Sequence, residues 1–194
     1  MIFSQADIQI INAFLEISRN KSNFSDVSMS TIAKKVGISR QALYQSHFHN
    51  TDEIIRALYF YVDQDIYNRM LFVIKKNKNK KNIMELLIRE ATSLIYKNSY
   101  IFKILYSKHH DSSWVLFIEE HYSRILLPIL EKRNNNQSTF IPVGMQAKFI
   151  IHNFIGLISI WMHQEKPELP EEYAEKIIYL FKTSAEQLIK LDNK

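Results

Sequence analysis

Residues Ser28 to Phe48, SMSTIAKKVGISRQALYQSHF, constrain the fold of this chain more than any other segment. Apolar Ile32, Ala33 and Val36 give a first short helix an inward face, Gly37 can take the positive φ that ends it, and Ser39 can cap a second helix. Leu43 alone must then anchor that second helix. Its opposite side carries Arg40, Gln41, Tyr44 and Gln45, and the pairs 40/44 and 41/45 project together at i,i+4 spacing. This is the spacing of a helix-turn-helix. Its polar face suits a major groove, where Arg and Gln donate to base edges and Tyr44 reaches phosphate. The same pattern also fits an ordinary helical hairpin with a solvated polar side.

The rest of the chain repeats the helical theme. Only three glycines and four prolines in 194 residues leave little turn chemistry for a sheet-rich fold, and segments of period 3.6 dominate, so the fold class is all α. Ile8, Ile11 and Leu15, with Ile10, Phe14 and Ile17, mark a first helix over about 5–19, ahead of helices at 29–36 and 40–46. Ile54, Leu58, Val62, Ile66 and Met70 form the stripe of a long helix over about 51–74. Further helices are expected near 82–97, 99–109, 112–132, 142–164 and 170–192, with Asn134 to Ser138 as a loop and Pro167 and Pro170 bracketing the last turn. The expected domains are a helix-turn-helix head at 1–60, its fourth helix running on to about 74, and a helical regulatory and dimerisation body at 75–194.

Charge supports that division. Residues up to Lys81 hold twelve Lys/Arg and seven Asp/Glu, whereas the remainder holds thirteen of each. A basic head on a neutral body suits a polyanion partner. Part of the excess is the run KKNKNKKN, containing Lys75, Lys76, Lys78, Lys80 and Lys81. The preceding helix would carry this run roughly 35 Å from the recognition helix at about 1.5 Å per residue, so it reads as a solvated linker. Absence of cysteine excludes disulfides and cysteine zinc sites and fits a cytoplasmic protein. No secretory signal pattern opens the chain, and the apolar segment Phe149 to Met162 is too short to span a bilayer.

The first 60 residues resemble the DNA-binding domain of the tetracycline-repressor (TetR) family. The likeness rests on an N-terminal helix, Ile32-Ala33, the Gly37-Ile38-Ser39 turn, Leu43-Tyr44, His47-Phe48 and the acidic start Asp52-Glu53 of the next helix, over roughly residues 5 to 60. The family form is Tyr-x-His-Phe, whereas here Gln45, Ser46 and His47 intervene between Tyr44 and Phe48. The family also commonly places a phosphate-contacting lysine where this chain has Thr51, so that contact is not carried over. Thr51 is instead expected to cap the next helix, whose exposed N–H groups still suit a phosphate. The candidate DNA contacts are Ser28, Thr31, Lys34, Lys35, Ser39, Arg40, Gln41, Ala42, Tyr44, Gln45, His47, His49 and Thr51. The resemblance implies a homodimeric transcriptional regulator, more often a repressor, that binds a palindromic duplex operator and is released by a small-molecule effector. It implies no cofactor.

The body offers two further candidate surfaces. The segment MQAKFIIHNFIGLISIWMH is apolar around most of its circumference and needs cover on both sides. A self-complementary four-helix interface built from the last two helices meets that need, with Phe149, Gly156, Ile160, Ile177, Phe181 and Leu188 as candidates. Wrapping a monomeric core is the other way to meet it. Tyr96, Tyr100, Tyr106, His110, Trp114, Phe117 and His121, with His152 and Asn153 from a later helix, are the candidate lining of an effector pocket, although an aromatic stripe at helical spacing also serves as plain core.

Two competing classes remain open. A metal-dependent bundle enzyme would need ligand spacing that is missing: there is no Glu-x-x-His or His-Glu-x-x-His, and the adjacent His109 and His110 point to different helix faces from one another, whatever His121 does. No glycine-rich phosphate loop or nucleophile elbow is present, so the expectation is not an enzyme. A helical protein-interaction module would keep the apolar C-terminal surface and lack sequence-selective DNA binding.

Overall fold

Ser4 and Asp7 start the first helix through a reciprocal cap. The Asp7 N–H donates to Ser4 Oγ at 3.1 Å, and the Ser4 N–H donates to Asp7 Oδ2 at 2.9 Å. The structure is a computed structural model that describes residues 2–21, 23–77, 81–107, 113–133 and 140–190. Among the described residues there are ten α-helices, one 3-10 turn at Phe24–Asp26, and no strand. The helices are α1 (Gln5–Ser18), α2 (Met29–Val36), α3 (Arg40–Ser46), α4 (Thr51–Lys76), α5 (Ile83–Lys97), α6 (Ser99–Leu105), α7 (Ser113–Arg133), α8 (Val143–Met162), α9 (Pro170–Lys182) and α10 (Ala185–Lys190).

By packing, the chain forms two units. One comprises Met1–Gln64 with Lys103–Phe117, the other Asp65–Phe102 with Ile118–Lys194. Helices α4 and α7 each contribute residues to both, so the lysine run beginning at Lys75 lies inside the second unit's sequence rather than at the division. Lys78 and Lys80 lie outside the described residues.

In the first unit α1 packs on α2, and α2 on α3. Ile10, Ile11 and Phe14 of α1, Ile32 of α2, Leu43 of α3 and Ile54 and Leu58 of α4 are fully buried and make one core. Phe14 and Phe24 meet at 5.4 Å between centroids. The contribution of Lys103–Phe117 is aromatic: Trp114 packs at 5.2 Å from Tyr59 and 5.7 Å from Phe117, and the Tyr59 hydroxyl hydrogen-bonds Ser113 Oγ at 2.8 Å. Asp63 and Tyr106 are buried in the same region. Burial, with the Asp63 charge adding to it, pushes the Tyr106 hydroxyl far above the usual tyrosine range, so it stays protonated.

In the second unit α5 packs along α9. Ile88, Ala91, Thr92 and Ile95 of α5 and Tyr173, Ala174, Ile177 and Ile178 of α9 are buried, with Ile151, Ile155, Ile158, Trp161 and Met162 of α8. Trp161 stacks on Tyr173 at 4.7 Å, and its indole N–H donates to the Glu168 carbonyl at 3.2 Å. The Tyr173 hydroxyl donates to the Leu157 carbonyl at 2.8 Å, so both aromatic residues have satisfied polar tips.

Three expectations are corrected by the fold. The helix expected over 170–192 breaks after Lys182, because Thr183 is extended (φ −107°, ψ 129°). Ser184 and Gln187 then start α10 with their own reciprocal cap, Ser184 N–H to Gln187 Oε1 at 2.8 Å and Gln187 N–H to Ser184 Oγ at 3.1 Å. The helix expected over 142–164 is found as α8, whose 20 residues carry the apolar stretch back from Phe149 to Val143. It is the one helix among the described residues that is long and apolar enough to cross a bilayer, by length and composition alone. The helix expected over 99–109 ends earlier, at Leu105, with Tyr106 and Ser107 in a turn and a bend, while the loop expected at Asn134 to Ser138 falls outside the described residues. The remaining helices lie close to expectation.

Candidate nucleic-acid interface

Helix α2 opens on Ser28, whose Oγ accepts from the Thr31 N–H at 3.2 Å and hydrogen-bonds the Thr31 hydroxyl at 2.8 Å. It closes on Gly37, which holds φ +80° while its N–H donates to the Ala33 carbonyl at 3.0 Å. A Cβ there would meet no atom within 4 Å, so glycine is required by backbone conformation and not by space. Two residues on, Ser39 caps α3 by accepting from the Ala42 N–H at 3.0 Å. Turn and cap together aim α3 outward with Leu43 as its only buried side chain.

The outer face of α3 is the polar set expected. Arg40, Gln41 and Gln45 are exposed, Tyr44 is half-buried, and Ala42 lies half-buried beside them. Arg40 Nη2 donates to the Tyr44 hydroxyl at 3.3 Å, and its guanidinium carbon sits 5.4 Å from the ring centroid, so the two form one preassembled group. Most guanidinium donors stay available beyond that bond. Gln41 and Gln45 hydrogen-bond to no side chain among the described residues. Lys34 and Lys35 are exposed in the last turn of α2, and Lys35 pairs with Glu16 at 2.7 Å across the surface. An exposed pair of this kind is weak and exchanges easily for a phosphate.

Three further candidates follow α3, each tied to another residue. His47 is half-buried, with Nδ1 2.8 Å from Asp7 Oδ1. His49 is exposed and tied to Glu53, its N–H donating to Oε2 at 2.8 Å and its ring Nδ1 lying at 3.1 Å from the same atom. Thr51 does not cap α4: its hydroxyl donates to the Val27 carbonyl at 3.3 Å, and Asn50 Oδ1 accepts from the Glu53 N–H at 2.9 Å instead. Thr51 thus ties α4 to the segment before α2. The signal for the cap was the Asn-x-x-Glu spacing one residue earlier.

The other candidate sets divide. Tyr106, Trp114 and Phe117 belong to the first unit, Tyr96, Tyr100, His121, His152 and Asn153 to the second, and His109 and His110 fall outside the described residues. Within the second unit His121 lies 4.0 Å from the Tyr67 ring, and its burial, with the Arg124 charge, lowers its basicity so the neutral ring is favoured. His152 and Asn153 are exposed and hydrogen-bond their own helix, to Lys148 O at 2.9 Å and Phe149 O at 2.7 Å. Of the self-association candidates, Phe149 (67% exposed), Ile160 (62%) and exposed Gly156 share the outer face of α8 with Met145 (64%). Ile177 does not join them: it is buried where α9 meets α5 and has no outward surface. Phe181 is half-buried, and Leu188 is exposed on α10 beyond the unexpected break.

Residues 84–183 match the TetR-class family model described as "Transcriptional regulator C-terminal region". With more than half of the chain in that match, the protein belongs to the TetR family, a family of DNA-binding transcriptional regulators, and its all-helical fold with an N-terminal helix-turn-helix is that of the family. Among its relatives is the nucleoid occlusion factor SlmA of Aliivibrio fischeri, 23% identical over 97 residues that cover 50% of this chain and 49% of SlmA. The chain thus spans about half the length of the curated relatives it matches. Its fold is similar to that of a TetR/AcrR-family regulator from Thermobifida fusca, with a TM-score of 0.61, 16% identity, and coverage of 94% and 99% of the two chains. It is similar also to FadR from Bacillus subtilis, determined in complex with stearoyl-CoA, with a TM-score of 0.67, 20% identity, and coverage of 89% and 96%.

Proposed function

We propose that the protein binds a palindromic duplex operator as a homodimer, represses transcription from it, and is released by a small-molecule effector. The observation that carries this reading is the outer face of α3, where Arg40, Gln41, Tyr44 and Gln45 project from a short helix held by Leu43 and the Ser39 cap. Arg40 and Gln41 donate to base edges. Lys34, Lys35 and the hydroxyls of Ser28 and Thr31 supply phosphate contacts that set register. His49 is exposed, and a phosphate would replace its ring's tie to Glu53.

Self-association rests on the outer face of α8. Met145, Phe149 and Ile160 form an exposed apolar face along one side of α8, which a second copy of the same helix would cover. Lys148 and His152, paired with Glu119 at 2.8 and 3.3 Å, lie on this helix and argue for a protein partner over lipid. Dimerisation also supplies the two half-sites, about 34 Å apart or a multiple of it, that such readers use. Effector release requires preferential binding to a dimer whose heads do not match that spacing. FadR, of similar fold, binds stearoyl-CoA and supports an effector for this chain without naming it. A protein working on the chromosome resides in the cytoplasm.

The test is binding of the purified protein to a pool of random duplexes, with sequencing of the retained fraction and a salt titration. Enrichment of a palindrome supports the reading. Binding without enrichment, fading only as salt rises, overturns it in favour of nonspecific phosphate attraction.

A further inference from the structure

Helix α3 has only 7 residues and one buried side chain, too little to hold its own angle. Its N-terminal end is set by the Gly37 turn and the Ser39 cap. Its C-terminal end is set by the residues just after Ser46. There the N–H groups of His47 and Phe48 both donate to the Leu43 carbonyl, at 3.2 and 3.0 Å, and Phe48 is buried. The His47 side chain leaves the helix and returns to α1, where Nδ1 lies 2.8 Å from Asp7 Oδ1 with the two side chains only 19% and 22% exposed. A carboxylate oxygen accepts, so Nδ1 carries the proton and donates.

Asp7 is fully employed. Its Oδ2 accepts from the Ser4 N–H at 2.9 Å and the Ser4 hydroxyl at 2.7 Å, while Oδ1 accepts from His47. One carboxylate therefore closes the start of α1 and tethers the end of α3, 40 residues apart in sequence.

We infer that His47 is a positioning residue for DNA recognition: through Asp7 it fixes the tilt of α3, and its Nδ1, not a contact with DNA, is the atom that matters. This rests on the DNA-reading function proposed above. The two amide substitutions separate the possibilities, because Asn places its donor nitrogen where Nδ1 was, and Gln places its own where Nε2 was.

The experiment measures specific-duplex affinity across salt for full-length wild type, His47→Asn, His47→Gln and Ser4→Ala, with amide hydrogen exchange of Leu43 to Phe48 in the free protein. Expected are near wild-type affinity for His47→Asn and for Ser4→Ala. His47→Gln should lose roughly tenfold in specific affinity with an unchanged salt slope, together with faster exchange at the end of α3. The reverse ranking, His47→Gln retaining affinity and His47→Asn losing it with a shallower salt slope, overturns the inference and makes His47 a phosphate contact. Equal affinity and equal exchange in both variants overturns it as well. Should the wild type show no sequence-selective binding, the functional reading fails, and the exchange comparison alone still decides whether Nδ1 holds α3.

Discussion

Gly37 shows how a single residue determines the geometry of the reading head. Its φ of +80° is one that L side chains rarely adopt, and a Cβ would meet nothing within 4 Å, so Gly37→Ala introduces backbone strain alone. The expected loss is about 1–2 kcal/mol of unfolding free energy by chemical denaturation, with Gly37→Asn milder. On α3, Gln41→Ala and Arg40→Ala should alter which duplexes are preferred, whereas Tyr44→Phe should weaken binding to all of them, as read by competition between duplexes. Burial raises the Asp7 carboxyl, but hydrogen bonds from Ser4 and His47 and the His47 charge outweigh it and leave the group below the usual aspartate range. A depressed folded value means stability that is complete above the unfolded carboxyl value, near 3.9, and lost as pH falls through the folded one. Thermal unfolding of Asp7→Asn should therefore converge on wild type as the pH drops below about 4 and separate from it above.

At the scale of elements, periodicity was informative where one face of a helix decides its place. The buried stripe Ile54, Leu58, Val62, Ile66 and Met70 of α4 was legible because each residue sits one turn from the last. The α2–turn–α3 unit was legible because its glycine and its serine cap are local signals. The break between α9 and α10 was not, since the apolar period continues through Leu188 and the Ser184–Gln187 cap is hidden inside it. The Asp7–His47 pairing was illegible for a different reason: it joins two helices far apart in sequence, and no period encodes it. Leu43 is the point where these levels meet. As the sole buried residue of α3, Leu43→Ala should cost about 2–5 kcal/mol and release α3 first, visible as hydrogen exchange confined to residues 40 to 46.

Across the whole molecule, surface chemistry separates the two units' proposed tasks. The first presents the exposed polar face of α3. The second presents Met145, Phe149 and Ile160 on a helix whose other side is buried. The apolar circumference of α8 was legible in sequence, but which residues lie outward was not: Ile177 falls inside because α9 packs on α5, a tertiary choice. Phe149→Glu with Ile160→Glu should leave the helical content intact and convert a dimer to a monomer in sedimentation, with specific DNA affinity falling at least tenfold as one half-site is lost.

The most direct test of the central claim is hydroxyl-radical footprinting of the protein on a duplex enriched from the random pool, comparing wild type with Gln41→Ala. Two symmetric protected segments are expected, one helical turn, about 34 Å, or a multiple of it apart, with Gln41→Ala weakening both together. A single protected segment, or uniform protection unaffected by Gln41→Ala, would contradict a dimer that reads sequence through α3.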